Sequence, residues 1–243
     1  MDGQITHAIL EAAAASLGES VVIPERRMFA DFTADSDAAV QDGTASVVTV
    51  SGQFDALALA DDTLTDWKNT SVWAIKDDPK PEWTRQLNML ALLCARNDVD
   101  VRGLEIVARL RDWSKPKAAR EPDYPQRQTV VLPVEMWSLL DADTYIRERI
   151  TVHANAAGSV ECAPDARWDK PTTWAVMKTG RKSALRVLNS VDDAECWMQV
   201  HAARGGDEIV ERPGESTRCL HYCSVAQWCA HGRKCNGWTE EDA

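Results

Sequence analysis

Two short stretches of the chain carry residue types that could do chemistry together: Gly52 to Asp55, reading GQFD, and Asp66 to Lys68, reading DWK. Each stands at the end of an apolar pattern of strand type. Val47, Val48 and Val50 lead into Gly52, Phe54, Leu57 and Leu59 run to a turn at Asp61 and Asp62, and Leu64 and Trp67 return. A β-meander of this kind sets carboxylates that are distant in sequence side by side. Two carboxylate oxygens, a backbone carbonyl between them and several waters suit Mg²⁺ or Mn²⁺, which bind few protein groups and keep most of their water. Lys68 alternates with Asp66 on one strand face and so faces the same cation. These are the parts that metal-dependent cleavage of a phosphodiester requires.

The flanking elements must hold these groups in place. A helix over Ile5 to Leu17, stopped by Gly18, carries His7, and Ile5, Ile9 and Ala12 mark its buried face. A lone histidine there reads as a packed core residue unless other motifs accompany it; neutral imidazole also suits Mn²⁺. Glu11, one turn on, reads as a support behind such a ligand. Val21 to Phe32 reads as a strand broken at Pro24, and Thr33 to Thr44 as an acidic loop. Pro81 opens a helix to Arg96 whose inner side carries Leu87, Leu90 and Leu93, with Gln86 as a polar position on it. Strands over Leu104 to Leu110 and Val130 to Val134 follow, separated by a basic loop with Pro116 and Pro122, and then a helix over Asp141 to Ala156 with Tyr145, Ile146, Ile150 and Val152 inside. Strands, a helix and further strands in this order give an α/β core, a mixed sheet covered by helices on both faces. From Gly158 the periodicity weakens and prolines separate short elements, apart from a helix near Asp192 to Ala203. The expectation is a core over 1–157 and an extension over 158–243 wrapped on it.

A chain of 243 residues can bury about 70% of its unfolded surface, so stability need not come from disulfides. No basic and apolar leader and no apolar run of membrane-spanning length is present, which points to a cytoplasmic protein without a membrane partner. Seven cysteines in that compartment are thiols or metal ligands. The formal net charge of -11 speaks against a polyanionic partner, but its distribution speaks for one. Residues 101–190 hold fifteen Lys and Arg against eleven Asp and Glu, and the rest of the chain twelve against twenty-seven. Arg109, Arg111, Lys115, Lys117 and Arg120 form one run, and Lys178, Arg181 and Lys182, with Arg186, a second. A single run of this kind is as easily a solvated face; two of them beside a phosphodiesterase pattern point to phosphate contacts. Most of the ten tryptophans read as core, Trp83 and Trp137 among them. Trp113, among the cations, is the candidate for stacking on a base.

Cys219, Cys223 and Cys229 make C-x3-C-x5-C, and Cys162 lies upstream. Three close thiols and a remote fourth suit a metal site, and the spacing alone does not choose between zinc and an iron-sulfur cluster. Cys235 competes for the fourth position, and its nearness in sequence favours it on loop entropy. Cys94 and Cys196 read as small buried thiols, and His221 and His231 as exposed loop residues.

Taken in order, His7 in ITHAILEA, Asp55 in GQFD, Asp66 and Lys68 in DWKNTSVW, Gln86 in PEWTRQLNML and the cysteine cluster resemble the RecB-like branch of the PD-(D/E)xK nucleases, most closely single-domain exonucleases of phage and CRISPR-associated type. G-x-x-D beside D-x-K is commonplace on its own, and it is the order and span of the motifs that distinguish this chain. One departure is Leu90, which stands where that branch has the tyrosine of Q-x-x-x-Y. The resemblance implies a restriction-endonuclease-like fold with a C-terminal extension ligating a metal cluster, and a metal-dependent DNA exonuclease serving phage or mobile-element DNA processing. It implies that His7, Asp55, Asp66 and the carbonyl of Trp67 hold Mg²⁺ or Mn²⁺, that Lys68 and Gln86 join them as catalytic residues, and that Cys162, Cys219, Cys223 and Cys229 ligate a [4Fe-4S] cluster, with Zn²⁺ as the alternative. Two other readings stand beside it: a DNA-binding recombination or packaging component whose nuclease site has decayed, and a zinc-stabilised interaction module.

Overall fold

Helix α1 (Asp2–Leu17) ends where Gly18 takes φ +87°, the left-handed conformation that closes helices. The computed structural model describes residues 2–33, 47–76, 79–154 and 161–239. The inner stripe of α1 differs from the expected one, because Ile5 and Ile9 are 58% and 63% exposed. Leu10 and Ala14 face inward instead, packed with Val22, Ala56, Trp67 and Val107. The helix is apolar on more than one stripe, so its own period could not decide which side meets the sheet.

Strand β1 (Val22–Thr33) is continuous through Pro24, which pairs with Ala56 of β2 (Val47–Ala58). The expected break is absent because β1 is an edge strand, one side of which has no ladder for the missing N–H to serve. The acidic loop expected after β1 lies outside the described residues. Strand β3 (Thr63–Thr70) returns antiparallel to β2 through a turn in which Asp62 adopts φ +54°. Asp55 and Asp66 therefore lie within strands rather than at their ends, since β2 runs unbroken from Val47 past Gly52.

Helix α2 (Pro81–Ala95) starts with proline at its first turn, where the missing N–H is harmless. It crosses to β4 (Gly103–Leu110), which pairs parallel with β3, the arrangement that needs such a crossover. A short helix, α3 (Lys115–Ala118), precedes β5 (Thr129–Pro133), which pairs antiparallel with β4, and α4 (Leu139–Ala154) follows. The result is a mixed five-stranded sheet in the order β1-β2-β3-β4-β5, flanked by helices. The larger core lies on the α2 and α4 side, where Leu87, Leu93, Ile146 and Ile150 pack with Phe54, Leu57, Leu64 and Ile106. Gly52 admits α2 closely, because a Cβ there would meet Leu90 Cδ2 at 2.6 Å. Leu90 is buried against β2 in that contact and belongs to the core.

The chain divides into two compact units, Met1–Asn155 and Ala156–Ala243. The second holds α5 (Pro164–Arg167), β6 (Asp169–Lys170), β7 (Thr173–Met177), β8 (Arg186–Leu188), α6 (Val191–Val200), β9 (Glu208–Arg212), β10 (Glu215–Ser216), α7 (Thr217–His221) and α8 (Ala230–Asn236). Strands β8, β7 and β9 form an antiparallel sheet of their own, with Ala175, Val176 and Ala194 buried. Ser190 caps α6 by accepting the Asp193 N–H at 3.1 Å. The strands have five residues or fewer, too few for an alternating pattern to stand out in the sequence. Among the described residues no helix is long and apolar enough to cross a membrane.

Candidate metal centre and cysteine cluster

Strands β2 and β3 pair only over Ala56 with Thr65, Leu57 with Leu64 and Ala58 with Thr63, whereas β3 stays paired with β4 as far as Thr70. The sheet thus forks beside Asp55 and Asp66. At the fork the backbone of Trp67 has no β2 partner, and side chains take its place. Its N–H donates to Asp55 Oδ2 at 2.6 Å, and its carbonyl accepts from His7 Nε2 at 3.0 Å. The other ring nitrogen, His7 Nδ1, lies 3.5 Å from Asp55 Oδ1.

On the α2 side, Asp66, Lys68 and Gln86 close a triangle. Gln86 Nε2 donates to Asp66 Oδ1 at 2.9 Å, Lys68 Nζ donates to Gln86 Oε1 at 3.2 Å, and Lys68 Nζ lies 2.6 Å from Asp66 Oδ2. The last contact is a short ion pair to a buried carboxylate oxygen. Asp66 is 3% exposed. Burial raises its pKa above the usual carboxylate value against the opposing pull of Lys68, His7 and Gln86. Asp55 is raised as well, by burial and by the charge of Asp66, against the Trp67 N–H bond, His7 and Lys68. Two desolvated carboxylates, with Lys68 as the ammonium paired with Asp66, fit a divalent cation, which would relieve the cost of burying them.

His7, Asp55, Asp66, Trp67, Lys68 and Gln86 come together from α1, β2, β3 and α2. One neighbour has no place in the sequence reading. Pro24 pairs with Ala56 and Arg26 with Phe54, so Glu25 stands beside Asp55, and ligand atoms of His7, Glu25 and Asp55 all lie within 4.8 Å of one another. The assumed break at Pro24 hid it; an unbroken β1 paired with β2 would have revealed it.

Arg109 pairs with Asn69 across β3 and β4, and the Arg111 N–H donates to the Thr70 carbonyl at 2.8 Å. The first basic run therefore begins at the carboxyl ends of the two parallel strands, the end to which Lys68 belongs. Arg109, Arg111, Lys115, Lys117 and Arg120 are exposed. Lys117 sits over the Tyr124 ring at 5.9 Å and Arg120 Nε donates to the Pro116 carbonyl at 3.0 Å. Lys178, Arg181 and Lys182 are exposed in the second unit. Trp113 is no stacking platform, since it is packed against the core with its indole N–H on the Pro125 carbonyl at 2.7 Å. The exposed aromatic near this run is Trp73, 78% exposed, which lines a cleft of about 640 Å³ with Lys76, Arg120 and Tyr124.

In the second unit, β6 pairs with β10, Asp169 opposite Ser216, which brings the segment after Cys162 to the start of α7. The thiol of Cys219 is held above its ordinary value by burial, then by repulsion from Cys235, Cys223, Cys229 and Cys162 in that order, so five cysteines share one neighbourhood. None is in a disulfide. Asn236 Nδ2 ties α8 to α7 by donating to the Cys219 carbonyl at 3.1 Å. His231 is not an exposed loop residue: it lies on α8, half-buried, with Nε2 3.0 Å from Ser216 Oγ and Nδ1 3.2 Å from Glu161. Cys94 is buried, which pushes its thiol up to about 11. Cys196 is exposed, contrary to expectation, because α6 turns Ala194 inward instead.

Helix α8 approaches the turn before Cys229 so closely that a Cβ on Gly232 would stand 2.4 Å from the Ala226 carbonyl oxygen and 2.8 Å from its Cα. Backbone cannot yield as a side chain does. Gly232→Ala should therefore destabilise the second unit by about 1–3 kcal/mol, measured by urea unfolding, and an unchanged midpoint would mean that α8 is free to shift.

No protein-family model and no curated protein matches the chain. Among solved structures it is similar to the crystal structure of SSO0001, with a TM-score of 0.41 and 14% identity over 64% of this chain, and it spans 60% of that protein's length. A likeness that slight carries nothing about chemistry.

Proposed function

We propose that the chain is a metal-dependent deoxyribonuclease of the RecB-like PD-(D/E)xK kind, an exonuclease acting on DNA ends, with the first unit as a restriction-endonuclease-like core. The observation that carries the reading is the forked sheet edge at which Asp55, Asp66 and His7 meet while Lys68 and Gln86 close on Asp66. His7, Asp55, Asp66 and the Trp67 carbonyl would supply the ligands of this divalent-cation centre, for which Mg²⁺ or Mn²⁺ suits the donor set. When bound, the cation polarises a phosphoryl oxygen and lowers the pKa of its water.

The chain's own groups do the rest. Lys68 holds the attacking water by its ammonium and offsets charge on the pentavalent phosphorus. As the water oxygen bonds to phosphorus and loses its proton to solvent, the ester P–O bond on the opposite side breaks, and the departing sugar oxygen takes a proton from solvent. Gln86 fixes the Lys68 ammonium against Asp66, so the lysine arrives oriented. DNA lies along the basic run from Arg109 to Arg120, and Lys178, Arg181 and Lys182 supply further phosphate contacts. In the second unit, Cys162, Cys219, Cys223 and Cys229 ligate a [4Fe-4S] cluster that clamps the C-terminal segment, with Zn²⁺ as the alternative occupant.

Linear DNA should be degraded from its ends when Mg²⁺ or Mn²⁺ is added and remain intact in excess chelator. Replacing Arg109, Arg111, Lys115 and Lys117 by Gln together should weaken DNA binding and flatten its salt dependence, because each lost phosphate contact removes about one released counterion. Wild-type protein that leaves linear DNA intact with both metals would refute the reading, and an unchanged salt slope would make the basic run a solvated face.

A further inference from the structure

Glu25 is a carboxylate at the centre to which the nuclease pattern gives no task. It accepts a hydrogen bond from Gln53 Nε2 at 2.8 Å, and among the described residues it makes no ion pair with Lys or Arg. Its position is set by the β1–β2 register, opposite Asp55.

The histidine beside it has its tautomer set by its neighbours. A carbonyl oxygen only accepts, so the contact of His7 Nε2 with the Trp67 carbonyl places the hydrogen on Nε2. In the neutral ring the lone pair is then on Nδ1, and Nδ1 is the nitrogen 3.5 Å from Asp55 Oδ1. With Nδ1 unprotonated, a nitrogen lone pair and two carboxylates converge within 4.8 Å, half-buried. Such groups repel one another unless a proton on Nδ1 or a metal cation lies between them, and a cation bound there competes with that proton. Ligands of a six-coordinate ion at about 2.1 Å stand roughly 3.0 Å apart when adjacent and 4.2 Å when opposed, close to the spacing here. One nitrogen and two oxygens suit Mn²⁺.

Asp66 is not part of this group. It is buried and engaged with Lys68 and Gln86 instead. Asp55 thus stands between two sets of donors. We propose that His7 Nδ1, Glu25 and Asp55 Oδ1 form a second divalent-cation position beside the one that Asp66 and the Trp67 carbonyl share with Asp55, so that the centre takes two Mn²⁺ ions with Asp55 in common. The Trp67 carbonyl can serve the first position while accepting from His7, since it has two lone pairs. The position itself stands on geometry; its use in cleavage rests on the nuclease reading, where two ions about 3.5–4 Å apart clamp the attacking and leaving oxygens.

The test is calorimetric titration of Mn²⁺ into chelator-stripped full-length protein without DNA, with thermal melts to confirm folding. Wild-type protein should bind two Mn²⁺ per chain. Glu25→Gln, of equal size, should bind one, Glu25→Asp should recover the second with weaker affinity, and Asp66→Asn should lose the other ion while keeping that of Glu25. A single Mn²⁺ in the wild type, or two in Glu25→Gln, overturns the proposal. DNA degradation is assayed separately: two ions without cleavage would overturn the nuclease reading and leave the position standing, and cleavage with one ion would do the reverse.

Discussion

Lys68→Ala should lower the rate of DNA cleavage by about 10²–10³-fold or more, the loss typical of a single charge-stabilising donor removed from a preorganised site. Among the described residues, Lys68 Nζ pairs with Asp66 and Gln86, both groups of the same centre, and neither contact is part of the core. The fold should therefore persist. Its integrity is best measured with Mn²⁺ present, because without the ammonium Asp66 becomes a buried carboxylate lacking its cation. Mn²⁺ titration should still give binding, since the lysine is not a ligand. Near wild-type degradation by this variant, in Mg²⁺ or Mn²⁺, would sink the mechanism.

The second large effect is expected in the cysteine cluster. Cys162 is separated from Cys219 by most of the second unit, so a cluster joining them closes a long loop, and its binding energy becomes folding energy for that unit. Anaerobically purified protein should be brown, with about four irons and four inorganic sulfides per chain. Cys162→Ser should bleach it and leave residues 158–243 sensitive to protease, while Cys235→Ser should leave colour and resistance intact. Cys235 is the sharp comparison because it bears first among the cysteines on Cys219. A bleached Cys235→Ser beside a brown Cys162→Ser would reassign the fourth ligand, and colourless protein with one tightly bound zinc would replace the cofactor.

Local patterns in the sequence determined the pieces of the first unit. Apolar alternation over β3 and β4, proline at the start of α2 and the Leu87, Leu90 and Leu93 stripe each act within a few residues, so they are legible without knowing what they pack against. Period-2 alternation likewise sets Asp66 and Lys68 on one face. Tertiary structure decided what depends on a partner. The stripe of α1 that turns inward was set by contact with Ala56 and Trp67, not by the helix's own nearly uniform apolarity. Pro24 stays in a strand because β1 lies at the sheet edge, and only then does Glu25 reach Asp55. The fork that frees both polar groups of Trp67 exists because β2 leaves β3 after three paired residues, a matter of register between strands that no spacing in either strand records. The gathering of Cys162, Cys223, Cys229 and Cys235 around Cys219 rests in the same way on the pairing of β6 with β10, joining segments more than forty residues apart, beyond the reach of any local pattern.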